Sequence, residues 1–331
     1  MTSLKKTNYF LVLFLAAIFI VAGISQPIQA GANDKPRIGL ITQWLESDSP
    51  GRMVNRLKPL CKQEGWPLTI TGTRGNEQQL IDTCLTWIRT RSVDVIWILF
   101  PSVGPWGREM IPAAKKAGIP IIVTNGWVPG VTCDIGCDNW TAEAKCMRYV
   151  LNRLERKGNI VRLHWTGNPG LRPLDAVYEA FLKVYPELKE VAKHHSVIPG
   201  QIEDCRKYTA ALLRANPNPG DIDVIWGMWD DLALGAAQAV DDAGRKDISV
   251  VSVNGILPVL DKIRKGSSFV ATVSMPWEDC CDIFIEKVKM IRAGKKLDSI
   301  KYYIDNHLVT RANVPPPGYF FNAKGEYPPK K

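Results

Sequence analysis

Only four histidines occur in 331 residues, and no two lie at a spacing that would place them on one metal ion or beside a nucleophile. His164 falls in one apolar strand-length run, His194 and His195 in another, and His307 near the C-terminus. Nucleophile elbows, phosphate loops and metal-ligand spacings are lacking as well. The acidic pairs Glu203-Asp204 and Asp241-Asp242 lie on helical stretches, where they read as solvated charge. Neither catalysis, a metal centre nor a cofactor is therefore expected.

Long apolar runs are scarce too. The most prominent, Phe10 to Ile24, falls short of the ~20 residues that a membrane-spanning helix requires. Lys5 and Lys6 precede it and Ala30-Gly31-Ala32 follows, the order of a secretory leader (residues 1–30) cleaved after Ala30 or Ala32. No cysteine stands at that point, so a lipid anchor is not expected, and the mature chain is expected in a periplasm. Charge of one sign is modest: the net +9 falls by the two leader lysines to +7, scattered over helices such as Arg148–Lys157 and Lys287–Lys296. No helix-turn-helix segment precedes the core, so nucleic acid is not an expected partner.

What the chain does hold is regular alternation. Apolar runs of strand length, among them Val95–Phe100, Pro120–Thr124, Val224–Gly227 and Ser249–Val253, alternate with amphipathic helical stretches throughout. Repeated βα units joined by short connections predict parallel sheets covered by helices on both faces. The segment Asp223–Ala236 is the clearest such unit. A strand-length apolar run gives way to Trp229-Asp230-Asp231, where an Asp can cap the helix, and then to small residues suited to close packing. Open α/β sheets bind ligands at turns of this kind, at the carboxyl ends of their strands.

That segment resembles the "ND-x-A-L-G-A" turn of the type I periplasmic binding proteins, the ribose-binding and lac-repressor-core family. Val93–Pro101 resembles the family's third strand and Ala117–Asn125 its "AGIPV" strand. Val250–Gly255, followed by Gly266–Met275, resembles its "GFDG…DGKLxATIAQ" region. The likeness runs from about Arg37 to Arg311. It implies an α/β fold of two doubly wound parallel-sheet lobes joined by a three-crossing hinge. The implied N-terminal lobe comprises residues 35–125 plus 255–297, and the C-terminal lobe 126–254 plus 298–312. Residues 313–331, rich in Pro and Gly, are expected to form an extended tail. It also implies a monomeric receptor that closes on a small molecule, a carbohydrate or polyol by family habit, and hands it to an inner-membrane ABC permease. The alternative is a sensor that presents its ligand to a histidine kinase or chemoreceptor. For that role, Gln79–Trp87 and Asn125 are similar to the periplasmic trimethylamine-N-oxide sensing partner, which shares the fold; its ligand would be methylamine-like or another non-sugar.

Sugar-binding members read hydroxyl groups with carboxylates, amides and Arg. Aligned with their motifs, this chain has Asn125 for the Asp of "DR", Gly126 for its Arg, Trp229 for the Asn of "ND", Asn254 for the Asp of "FDG" and Met275 for the Gln of "AQ". Val177 takes the place of the Arg in "RxxGF", and Arg172 is the nearby substitute. The hydroxyl-reading set is depleted, and tryptophan replaces it. Trp44, Trp106, Trp127, Trp229 and Trp277 follow strand ends, while Trp97 and Trp226 lie inside strands and read as core. Such rings can stack on a sugar or surround a methylated ammonium. Arg74 is a candidate for a ligand carboxylate or phosphate, Ser102 and Asn168 are further polar candidates, and Asp230 reads as a helix cap rather than a ligand contact. The candidate ligand set is thus Trp44, Arg74, Ser102, Trp106, Asn125, Trp127, Arg172, Trp229, Asn254 and Met275.

Eight cysteines fall in the mature part. An even count in an oxidising compartment favours disulfides, and Cys61–Cys84 and Cys133–Cys137, the latter in a Gly-rich loop, are the expected bridges.

Overall fold

The computed structural model describes residues 35–102 and 104–327; the expected leader lies outside them. Chain order begins β1 (Ile38–Thr42), α1 (Asp48–Glu64), β2 (Leu68–Gly72), α2 (Glu77–Thr90), β3 (Val95–Leu99), α3 (Trp106–Ala117), β4 (Ile121–Thr124), β5 (Cys133–Cys137) and α4 (Asn139–Arg153). It continues with β6 (Gly158–His164), α5 (Arg172–Val184), β7 (Leu188–His195), α6 (Gln201–Ala215), β8 (Val224–Gly227), α7 (Asp230–Asp242), β9 (Ser249–Asn254) and α8 (Leu257–Lys265). Last come β10 (Phe269–Ser274), α9 (Trp277–Arg292), β11 (Lys301–Ile304) and β12 (His307–Thr310). No helix among the described residues is long and apolar enough to cross a membrane.

Two six-stranded sheets result, in the orders β11-β5-β4-β3-β1-β2 and β12-β10-β9-β8-β6-β7. All pairings are parallel except that of β12 with β10. Central strands such as Val-Ile-Trp-Ile-Leu of β3 are buried on both faces, which is why they are apolar throughout instead of alternating. Trp97 and Trp226 are core residues, as expected. Each is fully buried, Trp97 stacking on Phe284 at 4.0 Å between centroids and Trp226 on Tyr178 at 4.6 Å.

Sheet membership moves the lobe boundaries. β5 pairs with β4 in the first sheet, so the first crossing falls after Cys137, not after Asn125. α8 packs on β10, which lies in the second sheet, so residues 255–274 belong to the second lobe and not the first. The second crossing therefore comes just before α9, which packs on α1. β11 returns to the first sheet beside β5, and the third crossing follows Ile304. The family motifs mark strand ends but do not show which sheet a given strand joins. Two of the crossings are tied together, Asn306 Nδ2 donating to the Asp138 carbonyl at 2.9 Å and to Thr141 Oγ1 at 3.0 Å.

Neither expected disulfide is present; all eight thiols are free and buried. Cys61 packs with Ile38 and Leu40 on one face of the first sheet, and Cys84 with Ile41 and Ile96 on the other. Cys133 and Cys137 lie four residues apart on one extended strand rather than in a loop, roughly 13 Å between Cα atoms at the strand rise. A disulfide spans at most ~7 Å. Burial and the neighbouring Cys280 thiol on α9 hold the Cys137 thiol well above its ordinary value.

Candidate functional site

The carboxyl ends of both sheets face one another across a cavity enclosing about 860 Å³ of space, part of it open to solvent. From the first lobe come Trp44 after β1, Asp48 and Ser49 at the start of α1, Phe100 after β3 and Asn125 after β4. The second lobe contributes Asn139, Trp165, Asn168, Gln201, Trp229, Asp231 and Asn254, while Met275 and Trp277 mark the second crossing.

Backbone strain sits at these strand ends. Phe100 (φ 49°), Asn125 (φ 50°) and Asn254 (φ 123°) occupy the left-handed region that non-glycine residues rarely adopt, a pattern concentrated at functional sites. The turn after β4 is held by Asp134, whose carboxylate accepts from the backbone N–H groups of Asn125 (2.8 Å) and Trp127 (3.0 Å). Burial pushes the Asp134 carboxyl up to about 6, against those N–H groups and Lys301, which favour its charged form. Gly136 leaves room beside the Asn125 side chain, since a Cβ there would lie 1.7 Å from Asn125 Oδ1.

The aromatic wall bridges the lobes. Trp44 is oriented by its ring N–H, which donates to the Phe100 carbonyl at 3.1 Å. Its ring meets the edge of Trp165 at 5.9 Å and 88°, and Trp165 meets Trp229 at 6.2 Å and 74°. Asn168 Nδ2 donates to the same Phe100 carbonyl at 3.2 Å, a direct hydrogen bond from second lobe to first. Gly170 approaches so closely that a Cβ would lie 2.1 Å from the Asn125 carbonyl oxygen.

Asp230 is fully buried. Its carboxylate accepts from Ser252 Oγ, from Thr272 Oγ1 at 2.7 Å and from the Ile256 N–H at 2.7 Å, and burial raises it to about 7. It makes no capping bond to α7, as its sequence position suggested; it pins the ends of β9 and β10 to the start of that helix.

Of the residues expected at the site, Trp44, Asn125, Trp229, Asn254 and Met275 converge on this cavity. Trp106 does not: α3 turns it into the core beside Met110 and Ala114, 2% exposed. Arg74 projects into solvent, 88% exposed and 3.6 Å from Glu46. Ser102 lies outside the lining, its N–H bonded to Gln43 Oε1. Trp127 and Arg172 line a second, adjoining cavity of about 760 Å³ with Trp140, Lys301 and Tyr303; it shares Asn125, Asn139 and Gly170 with the first. Sequence reasoning missed Trp165, Asp48 and Asp231. Trp165 closes the strand-length run Ile160–Trp165, and the two Asp look like ordinary helix starts. Among the described residues one trio, His194, Asp204 and Cys205, has metal-ligand proximity, but Asp204 already accepts from His194 (2.7 Å) and from the Val197 N–H (3.0 Å).

A family model described as "Periplasmic binding protein domain" matches residues 38–296. The xylitol-binding protein of Mycolicibacterium smegmatis is 29% identical over 184 residues, 55% of this chain and 50% of that protein. The D-apiose import binding protein of Actinobacillus succinogenes is 31% identical over 208 residues, 61% of this chain and 65% of the relative. The match therefore spans about half to two-thirds of these relatives' length. The ribose import binding protein of Escherichia coli is 21% identical over 90% of this chain and 98% of its own. Among solved structures, an ABC sugar transporter subunit of Rhodobacter sphaeroides has a TM-score of 0.78 at 20% identity, covering 84% of this chain and 98% of that one. A solute-binding protein of Agrobacterium vitis with bound allitol has a TM-score of 0.76 at 23% identity, covering 84% and 96%. These two show the shared fold.

Proposed function

The chain belongs to the periplasmic binding protein domain family, and from that membership we propose that it is an exported, monomeric receptor that traps a carbohydrate or polyol between its lobes for an ABC importer, without catalysing a reaction on it. The observation that carries the reading is the cavity between the carboxyl ends of two parallel sheets, walled by Trp44, Trp165 and Trp229 and furnished with the amides of Asn125, Asn139 and Asn254. Rings offer flat apolar faces to the C–H face of a sugar, and amides both donate to and accept from hydroxyl groups. The names of the relatives, which bind xylitol, D-apiose and ribose, support the ligand class.

In this reading the lobes swing about the three crossings and close on the ligand, the motion periplasmic receptors use. A thermal-shift screen of the chain from Lys35 onward against xylitol, D-apiose, ribose and allitol, followed by calorimetry of each hit, tests it. At least one should raise the melting temperature and compact the protein in small-angle scattering. If none binds, the carbohydrate reading fails.

A further inference from the structure

The cavity's charge is lopsided. Asp48 enters from the first lobe and Asp231 from the second, and no Lys, Arg or His lies among the described residues that line it. The cation beside Asp48, Arg52, is 7% exposed and already engaged by Glu278. It makes two bonds to Glu278, at 2.7 and 2.6 Å, donates to the Met275 carbonyl at 3.2 Å, and reaches Asp48 only at 3.7 Å. Two carboxylates, Glu278 and Asp48, thus share one guanidinium, which leaves one negative charge beside it, and Asp231 adds a second from the other lobe. One oxygen of Asp48, Oδ2, is buried with no hydrogen-bond partner. Burial raises the Asp48 carboxyl, Arg52 opposes that, and the charges of Glu278 and then of Asp231 across the cavity raise it further. Gln201 Nε2 donates to Asp231 at 3.0 Å but brings no charge.

An anionic ligand would meet this pair with like charge and find no donor of positive charge. A neutral polyol would satisfy hydrogen bonds but leave the repulsion in place. A positively charged group relieves it, and the three Trp rings are the surroundings that a cation tolerates when stripped of water. Resting on the receptor reading above, we propose that the ligand is a carbohydrate or polyol bearing an ammonium group, held between Asp48 and Asp231 with its carbon skeleton against Trp44, Trp165 and Trp229.

The test uses matched probes: glucosamine with glucose, galactosamine with galactose, and glucamine with sorbitol, with glucuronate as the anion, titrated calorimetrically at fixed ionic strength. At least one amine should bind tenfold or more tightly than its neutral partner, a difference of about 1.4 kcal/mol. Asp231→Asn, at a half-buried position whose Gln201 contact an amide can keep, should erase most of that advantage, and glucuronate should not bind. Neutral members binding as tightly as their amines would overturn this inference while leaving the receptor reading intact. An advantage undiminished in Asp231→Asn would also overturn it, and binding by none of the probes would overturn it outright.

Discussion

Replacing Trp165 with Ala removes the ring that joins the aromatic walls of the two lobes. Trp165 touches Trp44 across the cleft and Trp229 within its own lobe, both edge to face. Such pairs contribute ~0.5–1.5 kcal/mol each beyond the area they bury. The Trp229 pair lies within one lobe and persists whether the lobes are open or closed, so it cancels from the affinity. Only the Trp44 pair crosses the lobes, so losing it should weaken closure, and ligand binding with it, by ~0.5–1.5 kcal/mol, a factor of roughly 2 to 13 in affinity. Because the ring is half-buried at a cavity wall and absent from the apolar core, the fold should survive. Calorimetry with a ligand from the screen, alongside circular dichroism, would measure the loss, and Trp165→Phe should recover part of it. A folded Trp165→Ala protein whose affinity stays within twofold of wild type would show that the ring packs against the lobes without serving the ligand.

Gly170→Ala should hold the lobes apart, because its new methyl group would meet the Asn125 carbonyl; scattering should report a more open protein and ligand affinity at least tenfold weaker, whereas unchanged compaction would mean the loop yields. The thiols should be inert: burial pushes Cys61 up to about 11 and both Cys133 and Cys205 up to about 12, so a disulfide reagent at pH 8 should find no fast-reacting thiol before unfolding, and a native burst would contradict the burial. Asp230 titrates near 7 when folded, against 3.8 as its ordinary value, so the unfolded chain gives up this proton first and stability should fall as pH rises from about 4 to about 7, then level off. Asp230→Asn should flatten that slope in thermal melts, and a slope that survives the substitution would assign it to other groups.

Much of the fold was legible because a strand buried on both faces must be apolar throughout. Val-Ile-Trp-Gly of β8 and Val-Ile-Trp-Ile-Leu of β3 announce themselves in that way. β5 does not. Cys-Asp-Ile-Gly-Cys mixes a charge and a glycine into five residues and becomes a strand only through pairing with β4 and β11, which no local pattern encodes. The expected site is spread over two adjoining cavities, Trp127 and Arg172 on one and Trp229 and Asn254 on the other, with Asn125 lining both. Trp44, Asn125, Trp229 and Asn254 were readable because open α/β sheets place their cavity at strand carboxyl ends. Trp106 obeyed the same rule by position yet turned inward, since the rotation of a helix's first turn depends on what it packs against. Asp48 and Asp231 were unreadable as a pair, being 183 residues apart and on different lobes.

The tail adds something that the three crossings alone do not. Expected to be extended, it contains no helix or strand from Arg311 to Tyr327. It leaves the second lobe beside α8, where Arg264 donates to the Pro315 carbonyl at 2.5 Å and Phe321 packs with Leu260 and Val309. It also touches the other lobe. Phe320 lies beneath the Arg52 guanidinium at 3.6 Å, and the Ala323 N–H donates to Asp279 on α9 at 2.6 Å. A cable anchored on both halves of a jaw limits its gape: wide separation must peel Phe320 from Arg52 or stretch the intervening backbone. Arg52 also grips Glu278 and the Met275 carbonyl at the second crossing, so tension in the cable would be felt where the jaw turns. If the lobes open as the receptor reading requires, these contacts, which no ligand need touch, would limit how far.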